Sequence, residues 1–124
     1  MPCALVVDDS RATRTVLARI LSQSGIETVQ AANGLEAMHT MEREVTSFDL
    51  VLLDWNMPEL SGIEVLEWIR ARDDFRSIRV VMVTTETEIE QMARALQTGA
   101  DEYLMKPFTR EALQDKLRLI GLMS

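Results

Sequence analysis

Two short apolar runs, each ending in aspartate, constrain this chain more than any other feature of its sequence. Residues 50–53 are followed directly by Asp54, and residues 4–7 are followed by Asp8 and Asp9. An unbroken apolar run of this length is typical of a strand covered on both faces, as in a parallel sheet. A carboxylate that is buried without a partner is costly. The runs therefore predict two buried strands whose carboxyl ends share one acidic pocket.

The rest of the chain alternates between strand and helix patterns. Strands are predicted over residues 3–8, 26–31, 49–54, 80–83 and 103–105. Apolar residues recur at helical spacing after each of them. The inner faces expected for the five helices are Val16, Leu17, Ile20 and Leu21; Leu35, Met38, Met41 and Val45; Ile63, Leu66 and Ile69; Ile89, Met92, Ala93 and Leu96; and Leu113, Leu117 and Ile120.

Capping residues mark where these helices begin and end. Gly25 and Gly99 predict left-handed stops after the first and fourth helices. Starts are predicted by a polar residue, in several cases with Glu three positions later. These start signals are Asp9 or Ser10, Asn33 with Glu36, Ser61 with Glu64, residues 87–90, and Thr109.

Five strands alternating with five helices predict an α/β fold. We expect one domain over residues 1–124, with a five-stranded parallel sheet, helices on both faces and right-handed crossovers. The expected strand order is 2-1-3-4-5, the flavodoxin-like order, in which ligands bind outside the carboxyl ends of strands one and three. Asp8, Asp9 and Asp54 follow those two strands.

Composition narrows the possible partners. The net charge of −7 and the sequence pI near 4.7 argue against nucleic acid or an anionic membrane, which call for basic patches. No segment approaches the roughly 20 apolar residues of a membrane span. Neither does the start of the chain resemble a signal peptide. We therefore expect a cytoplasmic protein.

The acidic pocket has the residues needed for phosphoryl transfer. Three neighbouring carboxylates raise the pKa of at least one of them, and a hard cation such as Mg²⁺ relieves their repulsion. Strand four ends at Thr84 and strand five at Lys106, whose ammonium is suited to phosphate. A carboxylate nucleophile in such a site would form an acyl phosphate.

In combination, these motifs resemble the receiver domain of two-component response regulators. The residues that carry the resemblance are Asp8-Asp9, Asp54 followed by Met57-Pro58 and Gly62, Thr84, and Lys106-Pro107-Phe108. Thr84 stands 30 residues and Lys106 stands 52 residues after Asp54. The resemblance covers the whole chain, and the strand order expected above is also that of this family. Residues 54–58, Glu86 and residues 103–108 are similar in particular to the single-domain receivers of chemotaxis.

The resemblance implies a role for each residue of the pocket. Asp54 would accept the phosphoryl group from a phosphohistidine of a sensor kinase. Asp9 and Asp54 would bind Mg²⁺ together with the backbone carbonyl of Asn56, and Asp8 would act largely through water. Lys106 would contact the phosphoryl oxygens.

The resemblance also implies a switch. Thr84 would move to hydrogen-bond the new phosphoryl group, and Tyr103 would turn inward behind it. Asn56 and Glu86 would flank the water that removes the phosphoryl group, and Lys106-Pro107 would be a cis bond. The chain would turn over no external substrate, and its output surface would be helix four, strand five and helix five.

The sequence is also compatible with other interpretations of its function. The chain is either a stand-alone receiver or the front of a longer regulator. A magnesium-dependent aspartyl phosphatase of the haloacid dehalogenase type uses similar groups, but it places its two acids in one Asp-x-Asp motif after the first strand. A flavin or nucleotide binder would carry a glycine-rich phosphate loop after that strand.

Overall fold

A computed structural model describes residues 2–43, 47–85 and 90–124 of the chain. The strands are β1 (Cys3–Val7), β2 (Glu27–Ala31), β3 (Leu50–Asp54), β4 (Arg79–Thr85) and β5 (Glu102–Lys106). The helices are α1 (Arg11–Gln23), α2 (Gly34–Arg43), α3 (Gly62–Arg70), α4 (Met92–Thr98) and α5 (Arg110–Leu119), with a short 3-10 turn at Asp73–Phe75. The predicted alternation of strands and helices is confirmed.

All neighbouring strands of the sheet run parallel, in the order β2-β1-β3-β4-β5, as predicted. The register aligns the carboxyl end of β1 with that of β3, and the carboxyl end of β4 with that of β5. Val7 pairs with Leu53, so the residues that follow them, Asp8 and Asp54, lie level with each other. Lys106 pairs with Thr85 at the end of β4. The polar residues at the strand ends therefore meet at one edge of the sheet.

The sheet separates two hydrophobic cores. One face is covered by α1 and α5, which we call the α1/α5 layer, and the other by α2, α3 and α4, the α2–α4 layer. Successive residues of β3 point to opposite faces, so that Leu50 and Leu52 belong to the first core and Val51 and Leu53 to the second. The burial of β1 and β3 on both faces is thus confirmed.

Several predicted inner faces are wrong in detail. Val16, Leu35 and Leu96 are 44%, 47% and 48% exposed, and Ala93 is exposed as well. The buried positions of α2 are instead Gly34, Ala37, Thr40 and Met41. An α-helix has 3.6 residues per turn, so side chains spaced three apart, such as Leu35, Met38 and Met41, do not stay on one face. Small residues such as Gly34 and Ala37 face the sheet instead and let the helix approach it closely.

The predicted caps fit the structure wherever it describes them. Ser10 and Thr109 accept hydrogen bonds from the amides of residues 13 and 112, at 3.3 and 3.1 Å. Asn33 caps α2, and Glu64 closes a capping box at α3. Gly25 and Gly99 have φ of 80° and 125°. The inner-face residues Val45 and Ile89, and residues 87–89 of the predicted cap, lie outside the described residues.

The start of α3 contacts the end of β3 directly. The Gly62 amide donates to the Trp55 carbonyl at 2.8 Å. A Cβ atom at position 62 would overlap the carbonyl oxygen of Asp54 and lie 3.0 Å from the Cα of Trp55. Glycine at this position therefore lets α3 begin against the backbone of the acidic edge.

We expect Gly62→Ala to destabilise the fold by roughly 1–3 kcal/mol, because the added methyl group must displace backbone rather than a flexible side chain. Glu64→Ala is the matched control, since it removes the acceptor of the Ser61 amide at 3.2 Å and costs about 1 kcal/mol or less. Urea unfolding of both variants measures the difference. Equal losses would show that the close contact at position 62 carries no extra cost.

Candidate functional site

Three carboxylates converge at the carboxyl edge of the sheet. Carboxylate oxygens of Asp8, Asp9 and Asp54 all lie within 4.8 Å of one another. Asp8 and Asp54 are only 1% and 4% exposed, whereas Asp9 is exposed to solvent. The predicted acidic pocket is thus present, with two acids at its floor and one at its rim.

Lys106 joins the two buried acids. Its Nζ donates to Asp8 Oδ2 and to Asp54 Oδ1, each at 3.0 Å. One ammonium against three carboxylates leaves a surplus of negative charge in the pocket. The lysine therefore compensates for the buried acids only in part, and the remaining charge favours a cation at the rim.

The charges of the pocket alter the protonation of Asp54. Its pKa rises from 3.8 to about 6 mainly because the carboxyl is buried, and the charges of Asp8 and Asp9 add to the rise. The hydrogen bond and charge of Lys106 oppose it without cancelling it. Burial would lower the pKa of Lys106, but its hydrogen bonds to Asp8 and Asp54 outweigh this and raise it. Lys106 therefore stays protonated, and Asp54 holds a proton in mild acid.

Hydrogen bonds fix both the carboxylate and the backbone carbonyl of Asp8. Its Oδ1 accepts from the Ser10 amide at 2.8 Å, while Oδ2 binds Lys106. Arg14 donates to the Asp8 carbonyl at 2.8 Å and, through Nε, to Gln30 at 3.2 Å. This role of Arg14 was not predicted from the sequence. The only signal was a basic residue one turn into α1, which is equally typical of a solvated face.

The structure describes three further residues of the predicted site, together with the predicted cis bond. Thr84 is fully buried at the end of β4, and its hydroxyl donates to the Thr85 carbonyl at 3.2 Å. Tyr103 is half-buried on β5, opposite Met82. The Asn56 side chain is exposed in the loop after β3. Glu86 lies outside the described residues. The predicted cis bond is present between Lys106 and Pro107.

The described residues fit a magnesium ion. Mg²⁺ prefers carboxylate oxygens, keeps several waters and leaves positions for phosphate. Asp9, exposed at the rim, and Asp54, beside it, present such oxygens with net negative charge. Because ligands must be deprotonated, the raised pKa of Asp54 makes binding weaker in mild acid.

Comparison with known proteins agrees with this geometry. The family model described as response regulator receiver domain matches residues 4–118. The chain is 36% identical over 117 residues to chemotaxis protein CheY1 of Helicobacter pylori strain J99, covering 94% of each chain. It is 38% identical over 114 residues to chemotaxis protein CheY-3 of Vibrio cholerae, covering 91% of this chain and 86% of the relative.

Structural comparison gives the same result. The structure of the chemotaxis response regulator CheY4 of Vibrio cholerae matches with a TM-score of 0.88 and 32% identity, covering 97% of this chain and 98% of that one. The chain therefore belongs to the response regulator receiver family. Within this family, which acts in two-component signalling, it is a receiver of the CheY type. In the ranges that the structure describes, no helix combines the length and apolar character needed to cross a bilayer.

The raised pKa of Asp54 predicts how stability depends on pH in the absence of metal. The folded chain binds the proton of Asp54 more tightly than the unfolded chain does. Its contribution to stability is therefore complete below pH 3.8 and is lost as pH rises through about 6. We expect the loss to be roughly 1–2 kcal/mol, because water at the rim screens part of the effect.

Urea unfolding in EDTA between pH 4 and 7.5, compared with Asp54→Asn, isolates this contribution. The free energy of unfolding of the parent chain should fall relative to that of the variant as pH rises, leaving the variant more stable at neutral pH. Parallel pH curves for the two proteins would contradict the raised pKa.

Proposed function

We propose that this chain is a phosphoacceptor switch in which Asp54 receives a phosphoryl group from a phosphohistidine of a sensor kinase. The observation that carries the proposal is the Lys106 ammonium, 3.0 Å from both Asp8 and Asp54 and beside the surplus charge of Asp9. Membership of the receiver family supports the same assignment.

Each group of the pocket has a separate role in the proposed phosphoryl transfer. A carboxylate oxygen of Asp54 bonds to phosphorus as the bond from phosphorus to the histidine nitrogen breaks, and the imidazole keeps the electron pair. Lys106 then contacts the phosphoryl oxygens instead of bridging two acids. Magnesium, held by Asp9, Asp54 and the Asn56 carbonyl with Asp8 acting through water, would supply charge neutralisation for the transferred oxygens.

A shallow apolar recess beside the pocket suits the phosphodonor. It has a volume of about 300 Å³ and is lined by Ala12, Thr13, Val16, Lys106, Pro107 and Phe108. Lys106 belongs both to this recess and to the acidic pocket, so a helix covering the recess would bring its histidine close to Asp54. The exposure of Val16, which the helix pattern did not predict, has a function under this proposal.

The conformational switch follows from the new phosphoryl group. Thr84 would turn its hydroxyl from the Thr85 carbonyl to a phosphoryl oxygen, and Tyr103 would turn inward behind it. Moving such an equilibrium from 1:99 to 99:1 needs about 5.5 kcal/mol, which several charge-assisted contacts in a water-poor site can supply. The output surface would be α4, β5 and α5, contacting a downstream protein.

The signal would end by hydrolysis of the acyl phosphate. Asn56 and Glu86 would flank the attacking water and set its rate. The proposal covers a stand-alone, cytoplasmic receiver that catalyses only its own phosphorylation and dephosphorylation. A receiver within a longer regulator would use the same pocket.

Incubation with acetyl phosphate and Mg²⁺ should add one phosphoryl group to Asp54, which intact-mass and peptide mass spectrometry detect. Asp54→Asn should abolish the addition, and Lys106→Met should slow it by at least tenfold, because it removes the cation that faces the phosphoryl oxygens. Asp115→Asn, a change to an exposed acid on α5, is the control and should react normally. Continuous phosphate release without a labelled chain would indicate a phosphatase, and the absence of both would indicate a binding protein.

Magnesium should also change the fluorescence of Trp55, which follows Asp54 directly and is 6% exposed. Asp9→Asn should abolish this response and raise the melting temperature in EDTA by about 2–4 °C, because it removes repulsion from the pocket. Trp68→Phe removes the chain's other tryptophan and should leave the response intact. A lower melting temperature for Asp9→Asn without metal would contradict the crowding of acids.

A further inference from the structure

Three side chains form a small cluster on β5 and α5, outside the phosphoryl-transfer pocket. The Lys116 ammonium lies 4.2 Å from the centroid of the Tyr103 ring. It also donates to Glu102 Oε1 at 2.9 Å, and the same oxygen accepts from the Tyr103 amide at 3.1 Å. Glu102 therefore holds the lysine at the ring and is itself fixed by the strand.

The cluster bridges the two layers of the fold at the open edge of the sheet. β5 is an edge strand, and the Tyr103 ring packs against the core of the α2–α4 layer. Lys116 comes from α5, whose buried residues Leu113 and Leu117 belong to the core of the opposite layer. Its side chain reaches past the edge strand to the ring. Lys116 belongs to neither core, and the proposed phosphoryl chemistry does not use its contact with the ring.

We propose that Lys116 is a positioning residue for the switch: with Glu102, it holds the Tyr103 ring at the edge of the sheet and so limits how readily the ring turns inward. This inference rests on the proposed function, in which Tyr103 moves when Asp54 is phosphorylated. Turning inward takes the ring away from the ammonium. The contact therefore stabilises the arrangement described here over the phosphorylated one.

The size of the effect follows from the exposure of the contact. The side chains of Lys116 and Glu102 are 22% and 23% exposed, so the cation is partly desolvated. A cation–π contact under such conditions corresponds to about a three- to tenfold change in an equilibrium constant. By linkage, a ligand that favours the inward ring binds more tightly by the same factor when the contact is removed. Lys116→Arg keeps a cation over the ring, whereas Lys116→Met keeps only the packing.

The chain's single tyrosine makes the position of this ring measurable. Fluorine NMR of protein labelled with 3-fluorotyrosine reports Tyr103 alone, and beryllofluoride with Mg²⁺ serves as the probe for the phosphorylated state. Lys116→Met should shift the resonance toward its position in the beryllofluoride complex and tighten beryllofluoride binding about three- to tenfold. Glu102→Gln should act in the same direction. Lys116→Arg should resemble the parent chain.

Two controls separate positioning from general stability. Arg118→Met removes another cation of α5, which pairs with Asp115 at 3.0 Å, and should leave both readouts unchanged. In a Tyr103→Ala background, Lys116→Met should no longer affect beryllofluoride binding, which the fluorescence of Trp55 follows.

The outcomes distinguish this inference from the function on which it rests. Magnesium-dependent beryllofluoride binding of equal strength in the parent chain and Lys116→Met would overturn the role of Lys116 and leave the phosphoacceptor intact. An equal effect of Lys116→Met with and without Tyr103 would overturn it as well. Failure of the parent chain to bind beryllofluoride would overturn the proposed function itself.

Discussion

The structure depends on how a small set of charges is held at the edge of a hydrophobic sheet. Asp8 and Asp54 are almost completely buried, and Lys106 is the cation that binds both. Removing Lys106 would leave two buried carboxylates uncompensated, which is far more costly than the loss of one contact. The register of β1, β3 and β5 has to bring these strand ends together. The pocket is therefore a constraint on the fold as well as its product.

The sequence was a good guide to the sheet and a poorer guide to the orientation of individual helices. A buried parallel strand requires an unbroken apolar run, so β1 and β3 could be recognised from local sequence, and alternation with helices then restricts the topology. The rotation of a helix about its axis depends on which small residues approach the sheet. Ala37 packs inward in α2 while the larger Leu35 faces solvent, an outcome that side-chain hydrophobicity alone does not predict.

The members of the pocket could be predicted, but their interactions could not. Asp8, Asp9, Asp54 and Lys106 all lie at or just after the carboxyl ends of strands, and the sheet order alone brings them to one place. The hydrogen bonds of Lys106 to two acids depend on side-chain positions a few ångströms apart, as does the value of the Asp54 pKa. The roles given to these residues stay predictions that the proposed experiments test.

The separation of the two cores has a mechanical consequence for a signalling protein. Residues on opposite faces of the sheet pack into different clusters, so the two faces share no buried side chains. The recess next to Lys106 borders the α1/α5 layer, whereas the ring of Tyr103 packs on the opposite face. A movement of Tyr103 would therefore start in the α2–α4 layer and would reach α5 only at the edge of the sheet, where Lys116 contacts the ring.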